Sequence, residues 1–134
     1  MTPAEMAEIH AAAFTQSRPW AADEFASLME HPTTEAFTHS RGFALVQNIG
    51  GEAELLTIAV SPKAQGNGIG RALMQAWMQG IDASMAFLEV AQDNAAAISL
   101  YKSCGFADVG RRKAYYRRKD APGVDAIIMR CCLT

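Results

Sequence analysis

The sequence predicts an α/β fold of the mixed α+β kind, in which one central β-sheet carries helices on both faces. Its 134 residues correspond to one domain of ordinary size. Half of the residues are hydrophobic and 19% are charged, which is typical of a globular chain and not of a disordered one. Strand signals first follow one another as hairpins and later alternate with helix signals, and this order predicts a mixed sheet.

The N-terminal part of the chain predicts two helices. Thr2 can cap the first helix, Pro3 suits its first position, and Glu5 completes a capping box. A second, short helix is expected to begin near Asp23, and the segment 31–34 ends it.

The middle of the chain predicts three strands. Segments 36–38 and 43–46 carry the first two strand signals, and the glycine pair at 50–51 predicts a hairpin turn. Residues 54–60 are the strongest strand signal of the chain, and Ser61-Pro62 ends it.

The second half of the chain predicts alternating helices and strands. A helix over 71–78 precedes a short buried strand over 86–90. The next helix is capped by Asp93 or Asn94 and ends at Gly105. Two strand signals follow, one marked by Val109, Tyr115 and Tyr116 and the other by 127–129.

Composition and charge exclude several classes of protein. The net charge of −2 is not that of a typical nucleic-acid binder, and no apolar run approaches the ~20 residues that span a bilayer. The N-terminus has no secretory signal pattern. The cysteines, Cys104, Cys131 and Cys132, are odd in number and lack metal-ligand spacing, so we expect core thiols without disulfides, no metal and a cytoplasmic location.

A glycine-rich loop over 65–70, Gln-Gly-Asn-Gly-Ile-Gly, joins the strongest strand to the helix that follows it. Glycines let a ligand approach the backbone, and the N–H groups of a helix N-terminus bind anions. Arg71 stands where the dinucleotide motif needs glycine, and no Gly-Lys-Ser/Thr follows, which excludes both nucleotide motifs. The loop therefore predicts a phosphate or pyrophosphate ligand, or else a plain surface turn.

Residues 65–70 resemble the Gln/Arg-x-x-Gly-x-Gly/Ala signature of the GNAT superfamily of N-acetyltransferases, whose loop holds the pyrophosphate of coenzyme A. The resemblance covers nearly all of residues 5–130 and is closest to the RimI-type branch, which acetylates the N-terminal amine of a ribosomal protein. It implies one acetyltransferase domain over 1–134 with acetyl-CoA as donor. The segments that carry it are 57–62, 68–73, 88–90, 94–101, 104–106, 115–116 and 125–129.

The resemblance also implies where coenzyme A binds. GNAT strands splay at the positions of Ile58, Ala59 and Val60, so that pantetheine pairs there like an added strand and an N–H polarises the thioester carbonyl. Asn94 would contact the pantetheine arm, although a helix N-cap is an equally complete role for it. The expected coenzyme-binding residues are Ile58, Ala59, Val60, Gln65, Gly66, Asn67, Gly68, Ile69, Gly70, Arg71, Asn94 and Tyr101.

Acetyl transfer needs a neutral amine, a donor to the thioester oxygen and a proton for the leaving thiolate. Glu89 is the candidate base because it is a carboxylate within an apolar strand, where burial favours proton transfer; it could instead occupy a solvated strand face. Tyr101 is the candidate acid, or else a core aromatic. The resemblance favours both catalytic roles, since the family has its base in Leu-Glu-Val and its thiolate-facing tyrosine in Leu-Tyr-x-x-x-Gly-Phe.

The acceptor side is expected to hold three aromatic residues. Trp20, Tyr115 and Tyr116 match aromatics near the family's acceptor site, although strand packing accounts for the tyrosines equally well. Six of the twelve Lys and Arg residues lie in the basic segment 111–119. Such a run is typical of a solvated loop, or it attracts an acidic partner, a ribosomal surface or the 3′-phosphate of the coenzyme.

We therefore expect an enzyme that moves acetyl from acetyl-CoA to a primary amine by direct attack in a ternary complex. The first-choice acceptor is the N-terminal α-amine of a protein, such as a ribosomal protein. The alternatives are a GNAT enzyme for a small amine or a lysine side chain, and a non-catalytic binding module that responds to coenzyme A. No nucleic-acid or membrane partner is expected, and the chain is expected to be a monomer or a weak homodimer. Because it starts at the family's first helix, its sheet is expected to lack the first edge strand or to have that edge covered by a partner.

Overall fold

The computed structural model describes residues 1–14, 18–118 and 121–134, and these residues form four α-helices and six strands. The helices are α1 (Pro3–Ala13), α2 (Ala22–Glu30), α3 (Ile69–Gly80) and α4 (Ala95–Ser103). The strands are β1 (Thr34–His39), β2 (Gly42–Ile49), β3 (Glu52–Val60), β4 (Met85–Ala91), β5 (Ala107–Arg118) and β6 (Ala121–Cys132). One turn of 3₁₀ helix, Pro62–Ala64, separates β3 from the glycine loop.

The strands form one sheet in the order β1-β2-β3-β4-β6-β5. Only β3 and β4 are parallel, and α3 makes the crossover that a parallel connection requires. The prediction of a mixed sheet flanked by helices is therefore confirmed. No strand precedes α1 in the described part of the chain, so β1 is an edge strand, as the missing first strand predicted.

The helices cover the two faces of the sheet in pairs. The side chains of β2 alternate between the faces: Phe43 and Leu45 pack with α1 and α2, whereas Ala44 and Val46 pack in the cluster that holds α3 and α4. All four side chains are fully buried, which explains why this strand is a continuous apolar run. Phe25 anchors the α1–α2 layer and Trp77 the α3–α4 layer; both are 0% exposed.

The sheet opens between β3 and β4. These two strands pair only through Glu52–Glu54 and Met85–Phe87, and no strand partner follows toward the ends of β3 and β4 in the described residues. A β-bulge lies where the pairing stops, because Val46 is opposite Leu55 while Leu45 is opposite Thr57, which leaves Leu56 as an extra residue. A bulge bends its strand and increases the local twist, so β3 turns away from β4.

The largest difference from prediction concerns the basic segment 111–119, expected to be a solvated loop. Residues 111–118 instead belong to β5, and Lys119 lies outside the described residues. β5 is the outermost strand next to β6 and is exposed along most of its length. Val109, Tyr115 and Tyr116 predict this strand, whereas the charged residues around the two tyrosines are typical of a solvated loop.

The cysteines are free, and only one is a core thiol. Cys131 is buried, Cys104 is partly buried and Cys132 is exposed, because successive β6 residues point to opposite faces. The expectation of core thiols is thus wrong for Cys132. No described helix is long and apolar enough to cross a membrane.

Candidate active site

The opening between β3 and β4 forms a cleft of about 820 Å³. Its walls are the diverging backbones of residues 55–60 of β3 and 89–91 of β4. The glycine loop and α4 line it from the α3–α4 side, whereas α1 and Trp20 line it from the α1–α2 side. Two molecules approaching from opposite faces of the sheet can therefore meet in the gap between the two strands.

The glycine loop presents backbone donors to this cleft. Gly66 and Gly68 have positive φ of 83° and 78°, and a Cβ at either position would meet no atom within 4 Å, so the loop borders open space. Gly68 is the N-cap of α3 and has no side chain to cap it. The first backbone bond of the helix runs from the N–H of Ala72 to the oxygen of Gly68, so the three preceding helical N–H groups remain available to an anion.

The polar side chains of the loop stabilise its shape. Gln65 Nε2 donates to the Val60 oxygen (3.1 Å), and Asn67 Nδ2 donates to the Ala64 oxygen (3.1 Å). Arg71 Nη2 donates to Ser103 Oγ (2.9 Å). The cleft is lined by Gln65, Gly66, Gly68, Ile69 and Gly70 but not by Asn67 or Arg71. Asn67 and Arg71, which were predicted to bind the coenzyme, therefore lie outside the cleft lining that the other predicted loop residues form.

We expect Gly68→Ala to weaken coenzyme A binding about tenfold, because a left-handed backbone costs an L-residue roughly 1–2 kcal/mol and the loop will relax away from its present shape. Titration calorimetry with coenzyme A measures this. Gly51→Ala is the matched control, since Gly51 also has a positive φ (85°) with open space around it, but lies in the β2–β3 turn. Equal losses in both variants, or no loss in Gly68→Ala, would contradict the anion role of the loop.

Asn94, rather than Asp93, caps α4. Its Oδ1 accepts the N–H of Ala97 at 3.2 Å, and the residue also lines the cleft. Asp93 instead holds Arg118 through two bonds, Nε to Oδ2 at 2.9 Å and Nη2 to Oδ1 at 2.7 Å. The cap role of Asn94 is therefore confirmed, and its contact with pantetheine stays a prediction.

Tyr101 lines the cleft from α4 and is only 7% exposed. Its ring packs edge-on against Phe106, at 6.3 Å between centroids. Burial raises the pKa of the Tyr101 phenol well above its ordinary value, and the nearby Tyr116 and Cys104 add to the rise. The phenol therefore keeps its proton near neutral pH and can donate it inside the cleft.

Glu89 lines the cleft from β4 but is not enclosed. Its side chain is 24% exposed and lies on the opposite face of the strand from the buried Leu88 and Val90. One of its carboxylate oxygens, Oε1, lies 2.9 Å from Arg112 Nε. The two interpretations of this residue thus combine: Glu89 occupies a partly solvated face, and that face borders the cleft.

The acceptor side gathers two of the three predicted aromatic residues. Trp20 and Tyr116 line the cleft, whereas Tyr115 is 52% exposed and lies under the Arg112 guanidinium, 5.4 Å from its ring. Burial raises the pKa of Tyr116 to about 12, and the charge of Glu89 contributes to this rise. Tyr115 is thus not part of the cleft wall, because adjacent strand residues point in opposite directions.

Much of the basic segment is paired within the molecule. Arg111 contacts Asp125 at 3.1 Å, in addition to the pairs of Arg112 with Glu89 and of Arg118 with Asp93. Three of its cations thus face carboxylates of the same chain, and two of these carboxylates border the cleft. This neutralisation weakens the case for the segment as a dock for an acidic partner.

Sequence reasoning missed several cleft residues, chiefly His10, Phe14, Thr57 and Arg118. His10 and Phe14 are four residues apart at the C-terminal end of α1, a spacing that brings rings together on one side of a helix and could have revealed that pair. The positions of Thr57 and Arg118 depend on the bulge and on the β5–β6 pairing, which leave no local signal. Within the described ranges, no group of three or more His, Cys, Asp or Glu residues is placed to hold a metal ion.

Comparisons with known proteins give one consistent result. The sequence model described as "Acetyltransferase (GNAT) family" matches residues 6–106. The N-alpha-acetyltransferase RimI of Mycobacterium tuberculosis is 36% identical over 134 aligned residues, which cover 92% of this chain and 82% of that protein. The [ribosomal protein bS18]-alanine N-acetyltransferase of Escherichia coli K12 is 42% identical over 90 residues, which cover 65% of this chain and 60% of that protein.

A solved structure agrees with these sequence matches. The crystal structure of the ribosomal-protein-S18-alanine N-acetyltransferase from Escherichia coli superposes with a TM-score of 0.88 at 35% sequence identity. The superposition covers 98% of this chain and 87% of that one. The agreement thus extends over the whole sheet and both helical layers, not over the glycine loop alone.

Proposed function

We propose that this chain, which belongs to the GNAT acetyltransferase family and is an N-acetyltransferase, moves the acetyl group of acetyl-CoA to the N-terminal α-amine of a protein. The observation that carries this proposal is the cleft through the sheet. It joins the backbone donors of the glycine loop on one face to Glu89, Trp20 and Tyr116 on the other. Donor and acceptor can occupy it together, which supports direct attack in a ternary complex.

The donor half of the cleft suits acetyl-CoA. The free N–H groups of the loop match the pyrophosphate. The edge of β3 over 58–60 has no strand partner from β4, so it offers backbone groups to the pantetheine amides beside the Val60 oxygen that Gln65 already occupies. Asn94 and Tyr101 complete this half from α4. Acetyl-CoA supplies the activated acetyl group.

The acceptor half suits an α-amine. The pKa of an α-amine is about 8 and that of lysine about 10.4, so near neutral pH a far larger fraction of the α-amine is already neutral. A partly solvated carboxylate such as Glu89 is a sufficient base for such an amine, directly or through one water. The N-alpha and bS18-alanine specificities named for the relatives support the same acceptor class.

The proposed reaction assigns a role to each group. The neutral amine nitrogen attacks the thioester carbon while a backbone N–H of β3 near the bulge stabilises the charge on the oxygen. The C–N bond forms, the C–S bond breaks, and Glu89 takes the proton that the amine loses. Tyr101 gives its proton to the departing thiolate and regains one from solvent.

Two peptides of identical sequence test the acceptor class, with transfer of label from labelled acetyl-CoA as the measurement. One has a free N-terminal alanine and a blocked lysine, and the other has a blocked N-terminus and a free lysine. We expect label on the first peptide alone. Label on the second alone would assign a lysine-directed enzyme instead. Coenzyme binding without label on either peptide would reject both acceptors and favour a small amine or a non-catalytic role.

A further inference from the structure

The imidazole of His10 lies in an aromatic cage beside the cleft. Its ring stacks on Phe14 at 4.2 Å and on Trp20 at 5.3 Å, and the edge of Phe25 closes a third side at 5.4 Å. The residue is only 3% exposed, yet it lines the cleft on the α1–α2 side. Three rings thus hold the imidazole in one orientation, at the wall where the acceptor is proposed to enter.

The hydrogen bonding of this ring defines its tautomer. The backbone N–H of Trp20 donates to His10 Nδ1 at 3.1 Å, so Nδ1 carries no proton. Burial lowers the pKa of His10 to about 4; the nearby Glu24 opposes this shift and Arg18 adds to it. The ring is therefore neutral near neutral pH, and its one proton lies on Nε2.

The Nε2–H of His10 has no acceptor among residues 1–14, 18–118 and 121–134. Nε2 is not one of the fully buried unpaired atoms of the described residues, so it reaches the open space of the cleft, where a bound molecule can replace water as its partner. Since the ring borders the cleft, a molecule bound in the cleft can supply the missing acceptor.

The surroundings of His10 restrict which chemical group can accept the hydrogen bond from its Nε2–H. An ammonium group has no lone pair to offer. A carboxylate would lose its hydration among Phe14, Trp20 and Phe25. The cation that acts on His10, Arg18, is already paired with Glu24 at 2.7 Å. A neutral amide carbonyl fits a neutral donor in an apolar cage. In a peptide acceptor, the carbonyl nearest to the reacting amine is that of the first residue.

We propose that His10 Nε2–H donates a hydrogen bond to the first main-chain carbonyl of the acceptor, so that His10 selects peptides over simple amines. This inference rests on the proposed N-terminal acceptor. It makes His10 a residue that binds the acetyl acceptor. The hydrogen bond from the Trp20 N–H to Nδ1 holds the ring in the orientation that points Nε2 into the cleft.

Two isosteric variants separate this role from a structural one. His10→Asn places an amide oxygen near the Nδ1 position, so it keeps the bond from Trp20 and loses the Nε2 donor. His10→Gln reaches the Nε2 position with its amide N–H and loses the bond from Trp20. We expect His10→Asn to raise the KM for the N-terminal alanine peptide about five- to tenfold, as for one lost hydrogen bond. His10→Gln keeps the donor, so its KM for this peptide should stay close to that of the wild type. The KM for acetyl-CoA stays unchanged in both variants.

A peptide analogue with an alkene in place of its first amide bond gives a second readout that needs no variant. The wild-type enzyme should bind it as weakly as His10→Asn binds the normal peptide, and His10→Asn should show no additional loss with it. The inference is overturned if His10→Asn and the wild type have the same KM for the alanine peptide, or if His10→Gln has a higher KM than His10→Asn. It is also overturned if the wild type binds the alkene analogue as tightly as the normal peptide. If the wild type labels neither the alanine nor the lysine peptide, the proposed function fails separately, and the His10 role falls with it.

Discussion

Glu89→Gln is expected to lower kcat about 100-fold near neutral pH, at the lower end of what a positioned general base contributes. The amide keeps the size of the carboxylate but cannot take the proton from the amine. The loss should be largest at low to neutral pH, where most of the α-amine carries an extra proton that Glu89 must also remove, and shrink above its pKa of about 8. Initial rates across this range, together with the KM for acetyl-CoA, measure the effect, and that KM should hardly change.

Glu54→Gln is the matched control for this variant. Glu54 is an exposed carboxylate on the neighbouring strand β3, where it pairs with Phe87, and it does not line the cleft. Its substitution should leave the rate and its pH profile unchanged. A Glu89→Gln enzyme with the wild-type profile would remove Glu89 from the mechanism, and a water alone would then have to accept the proton.

Tyr101→Phe is expected to lower kcat by a similar factor, about 100-fold, because the leaving thiolate loses its proton donor. Phenylalanine preserves the ring and its packing against Phe106, so the stability and the affinity for coenzyme A should hardly change. Because burial raises the pKa of Tyr101, the wild-type rate should show no decline from loss of this proton up to about pH 10, the ordinary value for tyrosine.

Tyr115→Phe controls for the chemistry of the Tyr101 substitution. Tyr115 is 52% exposed and lies outside the cleft, so loss of its hydroxyl should not change kcat. Rates and thermal unfolding of both variants separate a catalytic loss from a folding defect. A Tyr101→Phe enzyme of wild-type rate would show that solvent, not this phenol, protonates the thiolate.

Much of the fold could be predicted from residues that are close together in the sequence. The Thr2 cap and the Glu5 capping box begin α1 where predicted, and Asn94 begins α4. The glycine loop was the clearest functional signal, since Gly66 and Gly68 adopt the positive φ that glycine tolerates best. These features depend on residues close in the chain, so their sequence patterns remain visible.

Other features arise only when distant segments meet. β5 is exposed, so its strand signal is limited to Val109, Tyr115 and Tyr116. The partners of its arginines, Glu89 for Arg112 and Asp93 for Arg118, lie far away in the chain. The apolar neighbours Leu88 and Val90 left open whether Glu89 is enclosed or lies on a solvated face, and strand alternation places it on a partly solvated face. Burial of a single residue depends on what packs against its face, which the local sequence does not specify.

The sequence by itself determined the order of the elements, the caps, the glycine loop and the family, because each depends on neighbouring residue types or on a matching pattern over most of the chain. Only the tertiary structure decided that β3 leaves β4 at the bulge around Leu56 and that the resulting cleft opens on both faces of the sheet. It also decided that His10 lies beside this cleft among aromatic rings, with an Nε2–H that no described residue accepts. The physical reason is that strand pairing, burial and hydrogen-bond partners are set by residues far apart in the chain, and these come together only on folding.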